Sequence, residues 1–162
     1  MAKISSRCPT QNDIDTLALC MRQCDIDELY AVTDLSCLEA IQVSVDNSHK
    51  DFCWSYFADD KLLCIAGCTK VGNPWLLATP DIELHGLQLT RHCLTKVRMM
   101  LNKWGKLSNI IDVRNTKTCK WLKVLGFDFK ETLELRKGFP VIKFEQEGYG
   151  RDREGVIRGS EL

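Results

Sequence analysis

"NTKTCKWLKVLGFDF", residues 115–129, is the stretch of this sequence that decides the fold. Asn115 is a favourable helix N-cap because its side chain can accept from the free N–H groups of the first turn. Gly126 is a favourable helix end because glycine adopts left-handed backbone angles without strain. Trp121 and Leu125 supply apolar side chains between these two signals. The stretch therefore predicts a short helix that packs on a core and leads directly into a strand.

The rest of the chain alternates between helical and strand patterns. Residues 3–24 predict a strand and a capped helix, and residues 25–48 predict one or two further short helices. Two apolar runs around the turn Asp59–Lys61 predict a hairpin, and residues 72–80 predict a third strand. A long helix, a strand, the short helix and two closing strands follow. This order predicts an α/β domain with a mixed sheet of six to seven strands and helices on both faces.

Six apolar residues before Gly105 recur at intervals of three, four or seven positions: Leu84, Leu87, Leu94, Val97, Leu101 and Trp104. Such intervals place side chains on one side of an α-helix. We therefore expect a long amphipathic helix that buries this stripe and ends at Gly105.

The length of 162 residues, 44% of them hydrophobic, suits one domain with a full core. We assign residues 1–145 to that domain, and we expect the polar, glycine-rich residues 146–162 to form a flexible tail. No apolar run approaches the roughly 20 residues that span a bilayer, and the first ten residues lack the apolar stretch of a secretory signal. We expect a protein that is not secreted and has no membrane-spanning segment.

The nine cysteines show no C-x-x-C spacing, and the three histidines do not form a ligand pattern with them. We therefore expect no metal site and predict that the thiols act as small core side chains. Cys64 and Cys68 are four residues apart in a predicted strand, which places them on the same face.

Charge is distributed unevenly although the formal net charge is zero. Residues 11–60 contain eleven acidic residues against two basic ones, and residues 91–137 contain twelve basic residues against four acidic ones. This polarity can serve head-to-tail contacts, an anionic ligand at the basic end, or solubility alone. The zero net charge argues against a general nucleic-acid binder, although the basic helix at 91–106 leaves that function open.

The predicted order, together with Asn115, Trp121–Leu122 and Leu125–Phe127, resembles the GNAT family, the Gcn5-related N-acetyltransferases. The resemblance covers roughly residues 3–145. It implies a single GNAT-like domain and acetyl-CoA as the cofactor. Active members hold the cofactor pyrophosphate with a loop after the fourth strand, patterned Arg/Gln-x-x-Gly-x-Gly/Ala, whose amides lead into a helix N-terminus.

The matching loop, "ATPDIELHGLQLTRHC", departs from this pattern. It has one glycine, Gly86, and it places Glu83 near the expected phosphate charge and Leu87 where a second small residue is usual. If the chain binds acetyl-CoA, the resemblance implies contacts from Gly86, Leu87, Arg91 and Asn115.

Catalytic residues are also poorly matched. Many active members carry a tyrosine four residues before the helix-ending glycine as a general acid, and Leu122 occupies that position here. The general base is open: Glu83 and His85 lie nearest the end of the fourth strand, and His49 and Asp51 precede the second.

A segment of about 70 residues also resembles the acetyltransferase-like internal virion proteins of short-tailed phages, podoviruses. The corresponding residues are Trp75, Thr79, Asn115, Thr116 and Trp121–Lys123. This resemblance implies a non-catalytic GNAT-fold phage protein, located in the virion or the host cytoplasm, that acts with other virion or core proteins in assembly or genome ejection without a cofactor. The alternative is an acetyl-CoA-dependent N-acetyltransferase with a divergent cofactor loop.

Overall fold

The computed structural model describes residues 1–135, 137–148, 150–151 and 157–158. The helices are α1 (Gln11–Cys20), α2 (Gln23–Val32), α3 (Cys37–Asn47), α4 (Gly86–Trp104) and α5 (Thr116–Val124), and a 3-10 helix at Pro80–His85 precedes α4. The strands are β1 (Ile4–Arg7), β2 (Ser48–Ala58), β3 (Lys61–Thr69), β4 (Pro74–Ala78), β5 (Lys106–Asp112), β6 (Asp128–Glu134), β7 (Pro140–Glu147), β8 (Gly150–Arg151) and β9 (Ile157–Arg158). This order confirms the predicted α/β class.

Seven strands form two antiparallel sheets, with orders β1-β2-β3-β4 and β5-β7-β6. The sheets meet where β4 and β5 begin: the Ser108 N–H donates to the Gly72 carbonyl at 3.2 Å, and the Asn109 amide donates to the Pro74 carbonyl at 2.9 Å. Beyond this point no ladder joins β4 to β5 in the described part of the chain. The predicted mixed sheet is therefore divided, and only the neighbours β4 and β5 run in the same direction.

Helices cover both faces of the strands, as predicted. On one face, α4 buries Leu89, Val97 and Met100 in the larger core cluster, which also receives Leu122 and Leu125. On the other face, α1 and α3 pack against β2 to β4 around Ile14, Leu17 and Ile41. The region between β4 and β5 is bordered by elements from both layers.

The predicted start of α1 and both predicted ends of α5 are confirmed. Thr10 caps α1 through a capping box with Asp13. The Asn115 side chain accepts from the Thr118 N–H at 3.4 Å, and Gly126 adopts a φ of +97° after α5. A side chain at Gly126 would be strained, and its Cβ would lie 2.8 Å from the Gln146 amide nitrogen.

The prediction that one stripe of α4 is buried is wrong for the first three of its six residues. Leu84, Leu87 and Leu94 are 77%, 73% and 40% exposed, whereas Leu89 and Cys93 are buried. Leu84 belongs to the 3-10 helix, so it does not continue the α-helical period. At about 100° per residue, Leu87 and Leu94 lie well round the helix from Leu89, and the packing of Leu89 on the sheet decides which side is buried.

The domain boundary at residue 145 stays a prediction. Strand β7 continues to Glu147, and β8 pairs with β9 within the segment predicted to be a tail. Of that predicted tail, residues 149, 152–156 and 159–162 lie outside the described residues. No helix among the described residues has both the length and the apolar character that a membrane span requires.

All nine cysteines are free thiols. Cys64 and Cys68 are fully buried in the same core cluster, which confirms the shared face predicted for them. Cys8 and Cys20, in contrast, are exposed, so the prediction that the thiols are core side chains does not hold for every cysteine. Within the described residues, no three His, Cys, Asp or Glu side chains are grouped to hold a metal ion.

Candidate functional site between β4 and β5

The divergence of β4 and β5 opens a cavity of about 300 Å³. Its walls come from both strands and from α2, α4 and α5, and they are mainly apolar and aromatic, including Trp54, Tyr56, Trp75, Phe127 and Phe144. Five polar residues also line the wall: Glu28, Ser44, Lys96, Asn109 and Thr118. A mostly apolar cavity with a few polar groups is the usual form of a small-molecule site.

Two carboxylates of α2 bridge the diverging strands. Asp25 accepts from the Ala78 N–H at the end of β4 at 2.8 Å. Glu28 accepts from the Asp112 N–H at the end of β5 at 3.2 Å. Because residues three apart lie on the same side of a helix, α2 presents both carboxylates to the space between the strands. The ends of β4 and β5 are thus held by side chains instead of by each other.

Arg22 connects Asp25 of α2 to Thr118 of α5. Its guanidinium donates to Asp25 at 2.8 Å and to the Thr118 hydroxyl at 3.0 Å, and its main-chain N–H donates to the Ala78 carbonyl at 2.8 Å. Burial raises the pKa of Asp25 above its ordinary value, although the hydrogen bonds and charge of Arg22 oppose the rise. The main role of the Arg22–Asp25 pair is therefore to hold the end of β4, not to supply a reactive group.

Glu28 is the chemically distinctive group of the cavity. Burial raises its pKa from 4.5 to about 7, and the neighbouring charges of Asp25 and Asp112 act in the same direction. Hydrogen bonds from the Asp112 N–H and from Asn115 oppose this rise without cancelling it. A carboxyl group that gains and loses a proton near neutral pH at a cavity wall has the property required of a general base.

Asp112 is buried and Glu28 half-buried, and the pKa values of the two carboxyl groups shift in opposite directions. Burial favours the neutral form of Asp112, but the hydrogen bonds and charge of Arg114 outweigh it and lower the pKa of Asp112 below its ordinary value. The Arg114 guanidinium donates to the Asp112 carboxylate at 2.6 Å. Within the described residues Glu28 forms no such ion pair, so it is the carboxylate of this group without a cationic partner.

The predicted loop residues fall into two sets. Glu83 and Gly86 border a second cavity of about 150 Å³ with Arg22 and Lys117, and the Lys117 ammonium donates to Glu83 at 3.0 Å. His85 is half-buried immediately before α4.

The other predicted cofactor contacts are elsewhere: Leu87 and Arg91 are exposed on α4, and Asn115 caps α5. Glu83 and Gly86 therefore border one cavity that Leu87, Arg91 and Asn115 do not border, and the cofactor contacts stay a prediction. Sequence reasoning missed Arg22, Asp25, Glu28 and Thr118.

Trp121 lies between the two cavities and borders both. Its indole N–H donates to the Thr90 hydroxyl on α4 at 2.8 Å, so the ring spans the gap between α5 and α4. The next residue, Leu122, is buried and borders only the larger cavity. Gly86 at the start of α4 and Leu122 thus border different cavities, and Trp121 and Leu76 border both.

The arrangement of two splayed sheets, with α4 and α5 beside the opening, defines the class of protein: the chain has the GNAT fold. No family model and no curated protein matches the sequence. The similarity is to solved structures and is one of fold, since the sequence identities below are low.

Three solved structures illustrate the similarity. The ribosomal-protein-S18-alanine N-acetyltransferase from Escherichia coli superposes with a TM-score of 0.62 and 12% identity, covering 99% of each chain. The ribosomal-protein-alanine N-acetyltransferase from Brucella melitensis gives 0.63 and 13%, covering 88% of this chain and 99% of that one. A chimera of spermidine N-acetyltransferase SpeG from Vibrio cholerae and hSSAT gives 0.62 and 12%, covering 90% and 96%.

Proposed function

We propose that this chain is a GNAT-fold phage protein that acts in virion assembly or genome ejection without transferring an acetyl group. The observation that carries the absence of acetyl transfer is the position of Trp121. In active members of the family that the fold resembles, the cofactor pyrophosphate lies at the helix start that corresponds to Gly86. The thioester lies near the residue that corresponds to Leu122. An extended cofactor joining these two positions in this chain meets the Trp121 ring, which is hydrogen-bonded to Thr90.

Two further features support the absence of acetyl transfer. Glu83 borders the smaller cavity at the start of α4, where its carboxylate opposes a diphosphate, and Lys117 is already paired with it. Leu122 has no proton to give to a departing thiolate. The phage role and its partners, other virion or core proteins, rest on the sequence resemblance over a segment of about 70 residues, and so does a location in the virion or host cytoplasm.

Calorimetric titration with acetyl-CoA tests the absence of cofactor binding. We expect no binding heat at acetyl-CoA concentrations up to about 1 mM. A dissociation constant of that size corresponds to a binding free energy of about −4 kcal/mol. Trp121→Ala opens the passage between the cavities, so this variant tests whether the Trp121 ring is what blocks the cofactor. Trp104→Ala is its control, because Trp104 is half-buried but borders neither cavity. Binding by the unmodified chain with a dissociation constant near ~1 µM contradicts the proposal.

The phage role has a separate test. Mass spectrometry of gradient-purified, nuclease-treated particles of a phage carrying this gene should detect the chain in constant proportion to the capsid protein. If the chain remains with the unassembled fraction, the virion role is wrong, whatever the titration shows.

A second candidate function, an acetyl-CoA-dependent N-acetyltransferase with a divergent cofactor loop, is favoured by Glu28. In this reaction an amine nitrogen attacks the thioester carbonyl, the C–N bond forms and the C–S bond breaks. Glu28 takes the proton that the amine loses, and the thiolate takes a proton from water because Leu122 cannot supply one.

Acetyl transfer to a panel of primary amines, followed between pH 5.5 and 9, tests this candidate. Activity that rises with pH around about 7 and is lost in Glu28→Gln supports it, with Asp27→Asn, on the exposed side of α2, as the control. If the chain shows no acetyl transfer, or Glu28→Gln retains it, Glu28 is not the base.

A further inference from the structure

The outer side of α4 presents an unusual combination of exposed residues. Leu87, Arg91, Leu94 and Arg98 are all exposed, and their spacing places them in one narrow stripe of the helix. Neither arginine forms an ion pair within the described residues. We call these four residues the α4 stripe. Two exposed leucines on a helix that already buries another side against the sheet offer an apolar surface for a further contact.

The outer side of α3 carries acidic residues, and its charge is therefore complementary to that of the α4 stripe. Glu39, Val43 and Asp46 are exposed and spaced four and three residues apart, so they form a second stripe, which we call the α3 stripe. Val43 is 44% exposed. The two carboxylates accept hydrogen bonds only from their own helix or its cap, Glu39 from Ser36 and Asp46 from Gln42, and neither pairs with a cation in the described residues.

The spacing of the two stripes is the same when the helices run in opposite directions. From Arg91 the α4 stripe continues to Leu94 after three residues and to Arg98 after four. From Asp46 the α3 stripe returns to Val43 after three residues and to Glu39 after four. The charged ends of each stripe are seven residues apart, about 10.5 Å along a helix. An antiparallel contact pairs Arg91 with Asp46 and Arg98 with Glu39.

Leu94 and Val43 meet at the centre of this contact, between the two charge pairs. Apolar side chains flanked by opposite charges suit a specific helix contact, because the apolar centre excludes water and the charges fix the register. Within one molecule the stripes cannot meet, because α3 packs on one face of the strands and α4 on the other.

We propose that copies of this chain associate head to tail, with the α4 stripe of one copy docked antiparallel on the α3 stripe of the next. A contact between two different surfaces of the same chain leaves one free stripe at each end. It therefore produces a ring or an open filament, depending on the rotation between copies. This association does not depend on whether the cavity binds acetyl-CoA.

Sedimentation velocity over about a hundredfold range of concentration at low salt tests the contact. The purified chain should sediment faster as its concentration rises, and added salt should reduce this effect. Two charge-reversal variants address the two stripes: Arg91→Glu with Arg98→Glu, and Glu39→Lys with Asp46→Lys. Each variant alone should weaken association at least ~tenfold. All four changes together, or an equimolar mixture of the two variants, should restore it.

The control replaces Lys3 and Lys120, which are exposed and belong to neither stripe, with glutamate. It carries the same change in net charge as the α4 variant and should associate like the unmodified chain. Because all the altered side chains are exposed, circular dichroism should show an unchanged fold. A chain that remains monomeric throughout, or associates equally in all variants, overturns the proposal. So does a failure of the combined changes to restore association.

Discussion

Replacement of Glu28 by glutamine should stabilise the folded protein at high pH. Glutamine keeps an oxygen that can accept from the Asp112 N–H, a hydrogen bond of 3.2 Å in the present structure, and it removes the charge that burial disfavours. Because glutamine and glutamate are nearly the same size, the change adds no bulk at the cavity wall. The variant therefore isolates the electrostatic cost of the carboxylate.

The magnitude follows from the pKa. Burial raises the pKa of Glu28 from 4.5 to about 7, a rise of about 2.5. Each step of one in pKa corresponds to about 1.4 kcal/mol between the two protonation states, so the ionised group costs at most about 3.5 kcal/mol. Between pH 4.5 and about 7 the folded state keeps a proton that the unfolded chain has released. The contribution of Glu28 to stability is therefore complete below pH 4.5 and is lost as the pH rises to about 7.

Urea denaturation of both proteins at a series of pH values from 4.5 to 8.5, with a reducing agent, measures this difference. The free energy of unfolding of Glu28→Gln minus that of the unmodified chain should be near zero at the lowest pH. It should grow to about 3.5 kcal/mol above pH 7 and then remain constant. Asp25 and Asp112 titrate in both proteins, so their contributions largely cancel in the difference.

Asp27→Asn is the matched control, because it removes one carboxylate from the exposed side of the same helix. Its difference from the unmodified chain should stay within about 0.5 kcal/mol at every pH. Parallel curves for Glu28→Gln and the unmodified chain, or a variant that is less stable at pH 8, would refute the reasoning that Glu28 is a buried, uncompensated carboxylate.

Three further predictions address other parts of the structure. Asp25→Ala leaves the buried Arg22 guanidinium and the end of β4 without their acceptor, and urea denaturation should show a loss of about 3 kcal/mol. Asn115→Ala removes the cap of α5 and should cost about 1 kcal/mol in the same assay, whereas an unchanged midpoint would contradict the capping role. The exposed thiols of Cys8 and Cys20 should react with Ellman's reagent in the native state well before the buried ones.

Local sequence rules predicted the element order well. The capping side chain of Asn115 and the left-handed turn at Gly126 are decided by neighbouring backbone atoms, so their residue types are sufficient to locate them. The orientation of α4 was not predicted correctly. Leu87 and Leu94 satisfy helical spacing as well as the buried residues do, and only packing on the sheet distinguishes the two sides.

The candidate site could be predicted only in part because its contacts are distant in sequence. Asp25 and the Ala78 N–H are 53 residues apart, and Glu28 and the Asp112 N–H are 84 apart. One local signal was present. Asp25 and Glu28 each lie directly before an apolar residue, Ile26 and Leu29, that packs on the core, which places the two acids at the edge of the buried side of α2.

Glu28 and Trp121 support different proposals for the function of the cavity. The indole ring of Trp121 borders both cavities and is hydrogen-bonded to Thr90, and in the proposed function it blocks the cofactor. Glu28 destabilises the fold when ionised, and a glutamine could hold the Asp112 N–H without that cost, so fold stability does not explain the carboxylate. Under the proposed function the cofactor side of the site is closed, while the α2 side keeps a group suited to binding a cation or taking a proton. If Glu28→Gln is more stable but impairs particle assembly in a phage carrying it, Glu28 serves a binding role there. If it is more stable and assembles normally, that role is excluded and the acetyl-transfer assay decides what remains.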